Sequence, residues 1–585
     1  MTSGARKAEL VVVNMRELWD IPIPMDDGAE LRANVYLPPE EGRHPVVMSI
    51  TAYGKDLPFC QGYADAWNVV IKTSPDAGQN TSAKYFSFEA PDPEKWITHG
   101  YAIVIIDTRG TGRTPGVVDA LSAREGDDFA TAVDWVGEQP WCNGNVGLLG
   151  MSYLGFTQWL CASRQPKHLK AILPWQASDD YLRSVGYHGG VPCAFFKSWT
   201  TDLVKTVQYG LGTQGMTNKF TGQAVSGDEQ LSEEERNANL IDIYPQFMQH
   251  PLDDECYVDR RAHWHRIKVP MLSVTSWAAL GTHLRGNVEG FMNAASTDKW
   301  LCIRQEQGVF ATLYNDEGVE LQRRFFDHTL KGIGDFAQTQ SKVELAVRNP
   351  DDQIIEIRKA SEWPLPETRW ITLYLNPSDS TMGERFPSKE TAATYRGFSK
   401  GITMLTEPFA HPTEIIGPLA AKLWASASTS DADLFLSVRI FDEKGTEKLF
   451  KGVPDPRIPL SQGWLRASKR ELDKDRSLPY RPFLTHKSIQ PLVPGGVYGL
   501  DIEIWPACVA LPAGYRLGLT VQGQDFEHDQ QPTEWTKTGV MMRGSGNALH
   551  NDPEHRPAEV YDNEVTIYSG PDRISSLLVP MIRKK

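Results

Sequence analysis

The chain has 585 residues, of which 41% are hydrophobic and 23% charged, and its formal net charge is −14. This length exceeds what one hydrophobic core usually supports, so we expect two or three domains. The acidic balance argues against a nucleic-acid partner, because such a partner requires a basic face. No uninterrupted apolar run reaches about 18 residues, so we expect no membrane span.

Cysteine usage and the N-terminal residues suggest a compartment. Seven cysteines are scattered without C-x-x-C pairs, which favours reduced thiols over a disulfide framework or a zinc site. The only apolar run near the start is LVVV at 10–13, too short for the core of a signal peptide. We therefore expect a cytoplasmic protein. We also expect no cofactor, because no metal-ligand cluster, phosphate-binding loop or dinucleotide fingerprint is visible.

The first part of the chain alternates between patterns typical of strands and of helices. Residues 44–53 and 101–110 are continuous apolar runs of the kind buried on both faces of a parallel sheet. Residues 127–139 have helical spacing, and residues 169–179 favour a further strand. This β-α-β rhythm predicts the first part of a doubly wound α/β domain over residues 1–179.

The pattern changes twice more along the chain. Between about 180 and 262, polar and aromatic-rich stretches with helical spacing indicate an inserted helical cap. Strand patterns return at 269–277 and 299–305, so we expect residues 263–350 to complete the sheet domain. Short alternating runs separated by turns then predict an all-β sandwich over residues 355–585.

One short stretch carries the strongest chemical signal. In GLLGMSYLG, residues 147–155, Ser152 lies between Gly150 and Gly155 in a G-x-S-x-x-G frame, one residue longer than the G-x-S-x-G pattern. Apolar residues before it predict a strand and those after it a helix, which is the nucleophile-elbow arrangement of α/β hydrolases. Glycines are needed there because the strand and the helix pass too close for a Cβ atom. Ser152 is therefore the candidate nucleophile.

Several other motifs, in matching order, extend this resemblance over nearly the whole chain. They include TAYGKD at 51–56, the FEAPDPEKWITHGYAIVIIDTRG block, FFDHTLKG at 325–332 and GWLRASKRELD at 463–473. Together they resemble the cocaine esterase and X-prolyl dipeptidyl-peptidase hydrolases, also called the CocE/NonD family. The resemblance implies an α/β-hydrolase domain with an inserted helical cap, followed by a jelly-roll sandwich. It also implies cleavage of ester or amide bonds through an acyl-enzyme on Ser152.

The same resemblance implies residues around the nucleophile. The oxyanion hole would be formed by the backbone N–H of Tyr153 and the hydroxyl of Tyr53. Two fixed donors of this kind stabilise a developing negative oxygen without reorganising during the reaction. Trp277 and His188 are further candidate pocket residues, and His188, in the YHGG stretch, is expected to face the pocket mouth.

The residues that should activate the serine depart from the family pattern. Relatives carry an acid in the form SW-x-D, whereas this chain has SWAALGTHLRG, with Ala279 at the acid position. Arg304 occupies the position expected for the histidine base, and no histidine lies between His283 and His328. A serine hydroxyl is a poor nucleophile without a base and a carboxylate that holds it. The sequence therefore predicts that both triad partners are lost.

Three interpretations follow from this loss. The one we favour is a repurposed, cofactor-independent site that cyclises, isomerises or eliminates a small carbonyl compound in specialised metabolism. Arg304 would there bind a carboxylate or stabilise an enolate. The second is an ester or amide hydrolase or acyl transferase with a relocated base, in which His283 and Glu306 exchange the two roles. The third is a non-catalytic binding protein. Family members are often oligomeric, so a homo-oligomer stays open.

Overall fold

The described part of the chain folds around two large β-sheets. The computed structural model describes residues 13–305, 311–535 and 540–583, and within them one sheet has ten strands and the other twelve. In chain order the strands are β1 (Arg16–Pro24), β2 (Glu30–Leu37), β3 (His44–Thr51), β4 (Ala102–Asp107), β5 (Cys142–Met151), β6 (Leu169–Trp175), β7 (Tyr187–His188), β8 (Val191–Pro192), β9 (Met271–Ser276), β10 (Lys299–Arg304), β11 (Val343–Arg348), β12 (Ile354–Ala360), β13 (Arg369–Asn376), β14 (Thr381–Gly383), β15 (Thr391–Arg396), β16 (Ile402–Leu405), β17 (Thr413–Ala427), β18 (Asp433–Phe441), β19 (Glu447–Lys448), β20 (Ser461–Arg466), β21 (Tyr498–Leu511), β22 (Arg516–Gln522), β23 (Thr533–Trp535), β24 (Val540–Met542), β25 (Glu564–Ser569) and β26 (Ser576–Arg583).

Helices cover the first sheet and connect its parallel strands. Among the described residues, no helix is both long enough and apolar enough to cross a membrane. The α-helices are α1 (Phe59–Gly62), α2 (Ala64–Thr73), α3 (Pro93–Ile97), α4 (Ala123–Gly137), α5 (Tyr153–Arg164), α6 (Tyr181–Ser184), α7 (Phe195–Trp199), α8 (Glu233–Ala238), α9 (Ile243–Gln249), α10 (Glu255–Val258), α11 (Leu284–Asn293), α12 (Ala311–Tyr314), α13 (Asp316–Phe326), α14 (Phe336–Thr339) and α15 (Ala558–Tyr561).

The first sheet has the order β1-β2-β4-β3-β5-β6-β9-β10-β11-β12. The strands from β4 to β11 in this order are parallel, and β1, β2 and β12 add antiparallel edges. The apolar run of β4 is entirely buried, as expected for a strand covered on both faces. The doubly wound α/β prediction is confirmed.

The strand order reverses beside β3, which pairs with β4 on one side and β5 on the other. In open α/β sheets a ligand binds at the carboxyl ends of the strands, where the strand order reverses. The chain leaves β3 just before Tyr53 and leaves β5 at Ser152, so this crevice brings the two candidate residues together.

The inserted region is built of helices, turns and one small hairpin. Residues 180–262 carry α6 to α10 and the β7–β8 hairpin, and α7 continues without a break through a π turn (Thr200–Val204) and a 3₁₀ turn (Lys205–Val207). Glycines with positive φ at 189, 190, 210 and 212 flank this helical stretch and allow the tight turns on either side of it. A second helical excursion, α1 and α2, separates β3 from β4; the sequence analysis did not identify it.

The second sheet forms the sandwich, in the order β15-β25-β17-β21-β20-β18-β22-β16-β14-β13-β26 with β19 beside β18. A further β17–β26 pairing links the end of this order back to its interior. Its core also includes buried residues of the α/β part, among them Trp277, Leu284 and Leu301. The sandwich therefore packs directly against the β9 and β10 side of the first sheet.

Candidate active site

Ser152 occupies a strained turn between β5 and α5. Its φ of 56° and ψ of −116° lie outside the regions that L-residues prefer, as expected for a nucleophile elbow. A Cβ added at Gly155 would lie 2.9 Å from Ala177 Cβ and 3.0 Å from the Trp175 carbonyl oxygen. One added at Gly150 would overlap Leu154 Cβ. The two glycines are therefore required by close packing around the serine.

His283 faces the serine across the cavity. Its Nε2 atom lies 3.0 Å from Ser152 Oγ, which is hydrogen-bond distance for a nucleophile and its base. The residue immediately precedes α11, and its backbone N–H donates to the Ala279 carbonyl at 3.1 Å. The loop after β9 thus carries the ring to the carboxyl edge of the sheet, where β5 also ends.

The second nitrogen of the His283 ring is also placed. Nδ1 lies 3.1 Å from Thr282 Oγ1, so the threonine hydroxyl can accept the Nδ1 proton. That tautomer leaves Nε2 free to accept the proton of Ser152. Burial lowers the pKa of His283 to about 3, because the charged ring loses water without gaining a counter-charge. The imidazole is therefore neutral at neutral pH.

The structure also describes Ala279 and Arg304, the residues at the expected positions of the triad acid and base. Ala279 is fully buried, and its methyl group offers no acceptor to a histidine. The Arg304 guanidinium donates to Glu317 at 2.7 Å and is not among the residues that line the cavity at Ser152. The predicted substrate-binding role of Arg304 is therefore wrong: its guanidinium pairs with Glu317 on α13 and is not part of the cavity wall. Glu306 lies outside the described residues.

Tyr53 lines the same cavity as Ser152. Its side chain is buried, and its hydroxyl accepts a hydrogen bond from Trp199 Nε1 at 3.1 Å. The ring packs edge-on against Phe88 and lies 5.8 Å from the ring of Tyr153. Burial raises the pKa of Tyr53 well above its usual range, so the phenol keeps its proton. A protonated phenol is the form that can donate to an oxyanion.

Tyr153 opens α5, the helix that follows the nucleophile. The first backbone N–H groups of a helix have no partner within the helix, so that of Tyr153 is suited to bind an oxyanion. The phenol of Tyr153 points elsewhere and donates to Glu125. Only the backbone of this residue thus fits the predicted role.

A cavity of about 370 Å³ joins these groups. It is lined by Ser152, His283 and Tyr53, by residues of α1, α2 and α7, and by four further aromatic side chains. Acidic side chains contribute as well, and no lysine or arginine is among the described residues that line it. The remaining lining residues include Tyr63, Asp65, Phe88, Glu89, Phe195, Trp199, Asp202, Val453, Pro454 and Asn547.

Two predicted pocket residues lie away from this cavity. Trp277 is buried in the shared core, where its Nε1 donates to the Ala346 carbonyl at 2.8 Å. His188 is buried against Trp464, with 4.6 Å between ring centroids. The β7–β8 hairpin turns His188 toward the sandwich instead of the pocket mouth. Both predictions were wrong because these side chains serve the packing between domains.

His188 belongs to a buried cluster that the sequence analysis did not find. The donor atoms of His188, Cys193 and His550 all lie within 4.8 Å of one another, close enough to suggest a metal site. His188 Nδ1, however, lies 2.8 Å from His550 Nε2, and His550 Nδ1 lies 2.7 Å from Asp525. The ring nitrogens are thus already used in hydrogen bonds that join the cap to the sandwich.

Sequence reasoning also missed much of the cavity wall. Glu89 and Phe88 precede α3, and Val453 and Asn547 belong to the sandwich. Glu89 and Phe88 belong to the quoted FEAPDPEKW block, but nothing in that motif indicates which side chain faces the nucleophile. The sandwich residues carry no local signal because their role depends on how two domains pack.

Comparisons with known proteins agree with this architecture. The S15 family, described as X-Pro dipeptidyl-peptidase, matches residues 27–307. The X-Pro dipeptidyl-peptidase C-terminal non-catalytic domain matches residues 335–558. The chain belongs to the CocE/NonD, X-Pro dipeptidyl-peptidase-like family of α/β-hydrolases. It is therefore an enzyme of the CocE/NonD type, and the resemblance seen in its motifs is confirmed.

Individual relatives match most of this chain. The cocaine esterase of Rhodococcus sp. (strain MB1 Bresler) is 27% identical over 92% of this chain and 96% of its own. The Xaa-Pro dipeptidyl-peptidase of Lactobacillus helveticus is 20% identical over 80% of this chain and 65% of its own. A crystal structure of a CocE/NonD family hydrolase from Staphylococcus aureus is 29% identical, covers 97% of this chain and 94% of its own, and superposes with a TM-score of 0.82.

Proposed function

We propose that this CocE/NonD protein is a serine hydrolase that cleaves ester or amide bonds of small molecules with a Ser152–His283 dyad. The observation that carries the proposal is the 3.0 Å contact between Ser152 Oγ and His283 Nε2. It supplies the base that the sequence pattern lacked, and it favours the relocated-base interpretation over a repurposed site. The hydrolase relatives favour the same choice.

The reaction follows from the placed atoms. His283 Nε2 accepts the Ser152 proton while Oγ attacks the substrate carbonyl carbon. The resulting oxyanion accepts hydrogen bonds from the Tyr53 hydroxyl and the Tyr153 backbone N–H. The protonated His283 then donates to the leaving group, which departs and leaves an acyl-enzyme on Ser152. A water molecule, deprotonated by the same ring, releases the acid product.

The dyad differs from a full triad in how the charged histidine is stabilised. A carboxylate normally holds the imidazole and stabilises it when it takes a proton. Here the Thr282 hydroxyl fixes the ring by a neutral contact, and burial disfavours the charged form. Loss of the triad carboxylate costs roughly 10⁴-fold in turnover in serine proteases. We expect slow turnover of activated or tightly bound substrates.

The cavity sets the substrate class. Its volume of about 370 Å³ lies near the small end of ligand pockets, and five aromatic side chains form part of its wall. We expect a compact ester or amide with an apolar body.

The test is treatment of the purified protein with a fluorophosphonate, read by intact mass, beside Ser152→Ala. We expect one adduct on the wild type, none on the variant, and ester turnover that falls with it. An unlabelled but folded wild-type protein would contradict a hydrolase. It would favour the second candidate, the repurposed reaction, for which the buried Ala279 at the acid position is the supporting observation.

A further inference from the structure

Glu89 is a buried carboxyl group with no role in the dyad chemistry. It is 4% exposed and lies in the stretch before α3, and it lines the cavity with Ser152 and Tyr53. Its carbonyl oxygen accepts the N–H of Met151 at 3.0 Å, so its backbone is attached to the residue that precedes the nucleophile. Its φ is 63°, in the left-handed region. Such strain is concentrated at functional sites.

The surroundings of this carboxyl group favour its neutral form. Burial raises its pKa well above the usual range, and the group that opposes this rise is the neighbouring Tyr53 hydroxyl, which lines the same cavity. Its Oε2 atom has no hydrogen-bond partner among the described residues. An ionised carboxylate buried without a cation would carry a large desolvation cost.

Hydrogen-bond accounting at Tyr53 shows what the neutral acid can do. A phenol O–H donates one hydrogen bond, and its oxygen, which carries two lone pairs, also accepts. Trp199 Nε1 can only donate, and it occupies one acceptor position of Tyr53 at 3.1 Å. If Glu89 were ionised, it would accept the one hydrogen bond that the phenol can donate. It would then compete with the substrate oxyanion for that hydrogen bond. If Glu89 is protonated, it can fill the second acceptor position and leave that proton for the oxyanion.

We propose that Glu89 is a positioning residue for Tyr53: as a neutral carboxylic acid it donates to the Tyr53 hydroxyl oxygen and thereby directs the phenol proton at the oxyanion. This inference rests on the proposed hydrolase function. On this proposal, both donors of the oxyanion hole are available only while Glu89 is protonated. At alkaline pH, ionised Glu89 accepts the hydrogen bond of the Tyr53 phenol. The oxyanion then loses this donor, and the rate falls.

Several other titratable groups face Glu89 or the same cavity. The phenols of Tyr53, Tyr63, Tyr181 and Tyr314 act electrostatically with Glu89, and burial raises the pKa of each. His283, Asp65 and Asp202 also line the cavity. His283 has a pKa lowered to about 3 and so does not titrate on the alkaline side.

The test compares Glu89→Gln and Glu89→Ala in ester hydrolysis, with a neutral 4-nitrophenyl ester as the probe. The glutamine amide keeps a donor for the Tyr53 oxygen, so we expect kcat within about threefold of wild type and no alkaline loss of rate. The alanine variant should lose roughly tenfold in kcat with little change in KM. Asp92→Asn is the matched control, because Asp92 is also buried with a raised pKa and an unpartnered oxygen but does not line the cavity. It should leave kcat and the pH profile unchanged.

A double variant separates positioning from a direct contact. If Glu89 acts through Tyr53, Glu89→Ala should cost nothing further in a Tyr53→Phe background. Additive losses of kcat in the double variant would overturn the proposal. So would a Glu89→Gln variant whose kcat falls as far as that of Glu89→Ala, or one whose rate still falls at alkaline pH as in the wild type. Fluorophosphonate labelling identifies which proposal fails. Labelled wild-type protein with any of these results refutes the Glu89 role alone, whereas unlabelled wild-type protein refutes both proposals.

Discussion

The two members of the proposed dyad, Ser152 and His283, are held in different ways. Ser152 is fixed by backbone packing: its N–H donates to the Trp175 and Gln176 carbonyls, and a Cβ at Gly155 would collide with its surroundings. His283 is held by two backbone hydrogen bonds, from its N–H to the Ala279 carbonyl and from the Asn287 N–H to its own carbonyl, and by the Thr282 hydroxyl. A nucleophile elbow thus tolerates little change. A base requires only one imidazole nitrogen within reach of the serine, and a ring at another loop position can provide it.

Removing the Tyr53 hydroxyl should have the largest effect, because it deletes an oxyanion donor beside Ser152. Tyr53→Phe deletes one oxyanion donor while keeping the aromatic packing, and we expect kcat to fall about 100- to 1,000-fold. Steady-state hydrolysis of a neutral ester measures this. A Tyr53→Phe variant whose kcat stays within about fivefold of wild type would show that Tyr53 is not an oxyanion donor.

Gly155→Ala tests whether packing holds the elbow. The added Cβ would meet Ala177 Cβ at 2.9 Å and the Trp175 carbonyl oxygen at 3.0 Å. We expect the free energy of unfolding in urea to fall by about 1–3 kcal/mol. Gly383→Ala is the control, because a Cβ there has open space and should change stability by less than about 0.5 kcal/mol. Equal stability of the two variants would contradict the argument from close packing.

Thr282 tests the weaker hold on the base. Thr282→Val keeps the shape of the side chain but removes the hydroxyl that accepts the His283 Nδ1–H. We expect kcat/KM to fall, with a loss of transition-state stabilisation of about 0.5–1.5 kcal/mol. Thr282→Ser should restore most of the loss because it returns the hydroxyl. If both variants match wild type, another group must fix the tautomer of His283.

The pH profile is the subtlest comparison. The neutral ring is the active base, so protonation of His283 should abolish activity only as the pH falls toward its pKa of about 3. We therefore expect kcat/KM to show no acid limb near about pH 6.5, the ordinary value for histidine. A limb at that pH, absent from His283→Gln, would mean that the ring is more exposed to water than its burial indicates.

Local patterns were enough to predict the sheet and the elbow. Apolar runs such as residues 101–110 and the glycines around Ser152 determine a strand or a tight turn within a few residues of chain. The partner of Ser152 could not be predicted in this way, because His283 lies 131 residues further along the chain and is brought close only by the folded sheet. The sequence analysis named His283 only as an alternative.

The incorrect site predictions have a shared physical cause. Arg304, Trp277 and His188 lie near the expected strand ends or the cap, but their side chains contact Glu317, the Ala346 carbonyl and His550. Chain position fixes where a backbone lies, whereas the direction of a side chain depends on the partners available after packing. The sandwich residues at the cavity were missed for the same reason. The domain boundaries and the cytoplasmic location stay predictions.

The most direct test of the account is the rate constant of fluorophosphonate labelling in wild type, His283→Ala and His99→Ala. His99 is an exposed histidine that does not line the cavity and serves as the control. We predict that His283→Ala slows labelling of Ser152 about 100- to 10,000-fold, the usual contribution of a general base, while His99→Ala leaves the rate unchanged. Labelling of folded His283→Ala at the wild-type rate would contradict the account, because Ser152 would then be activated without His283.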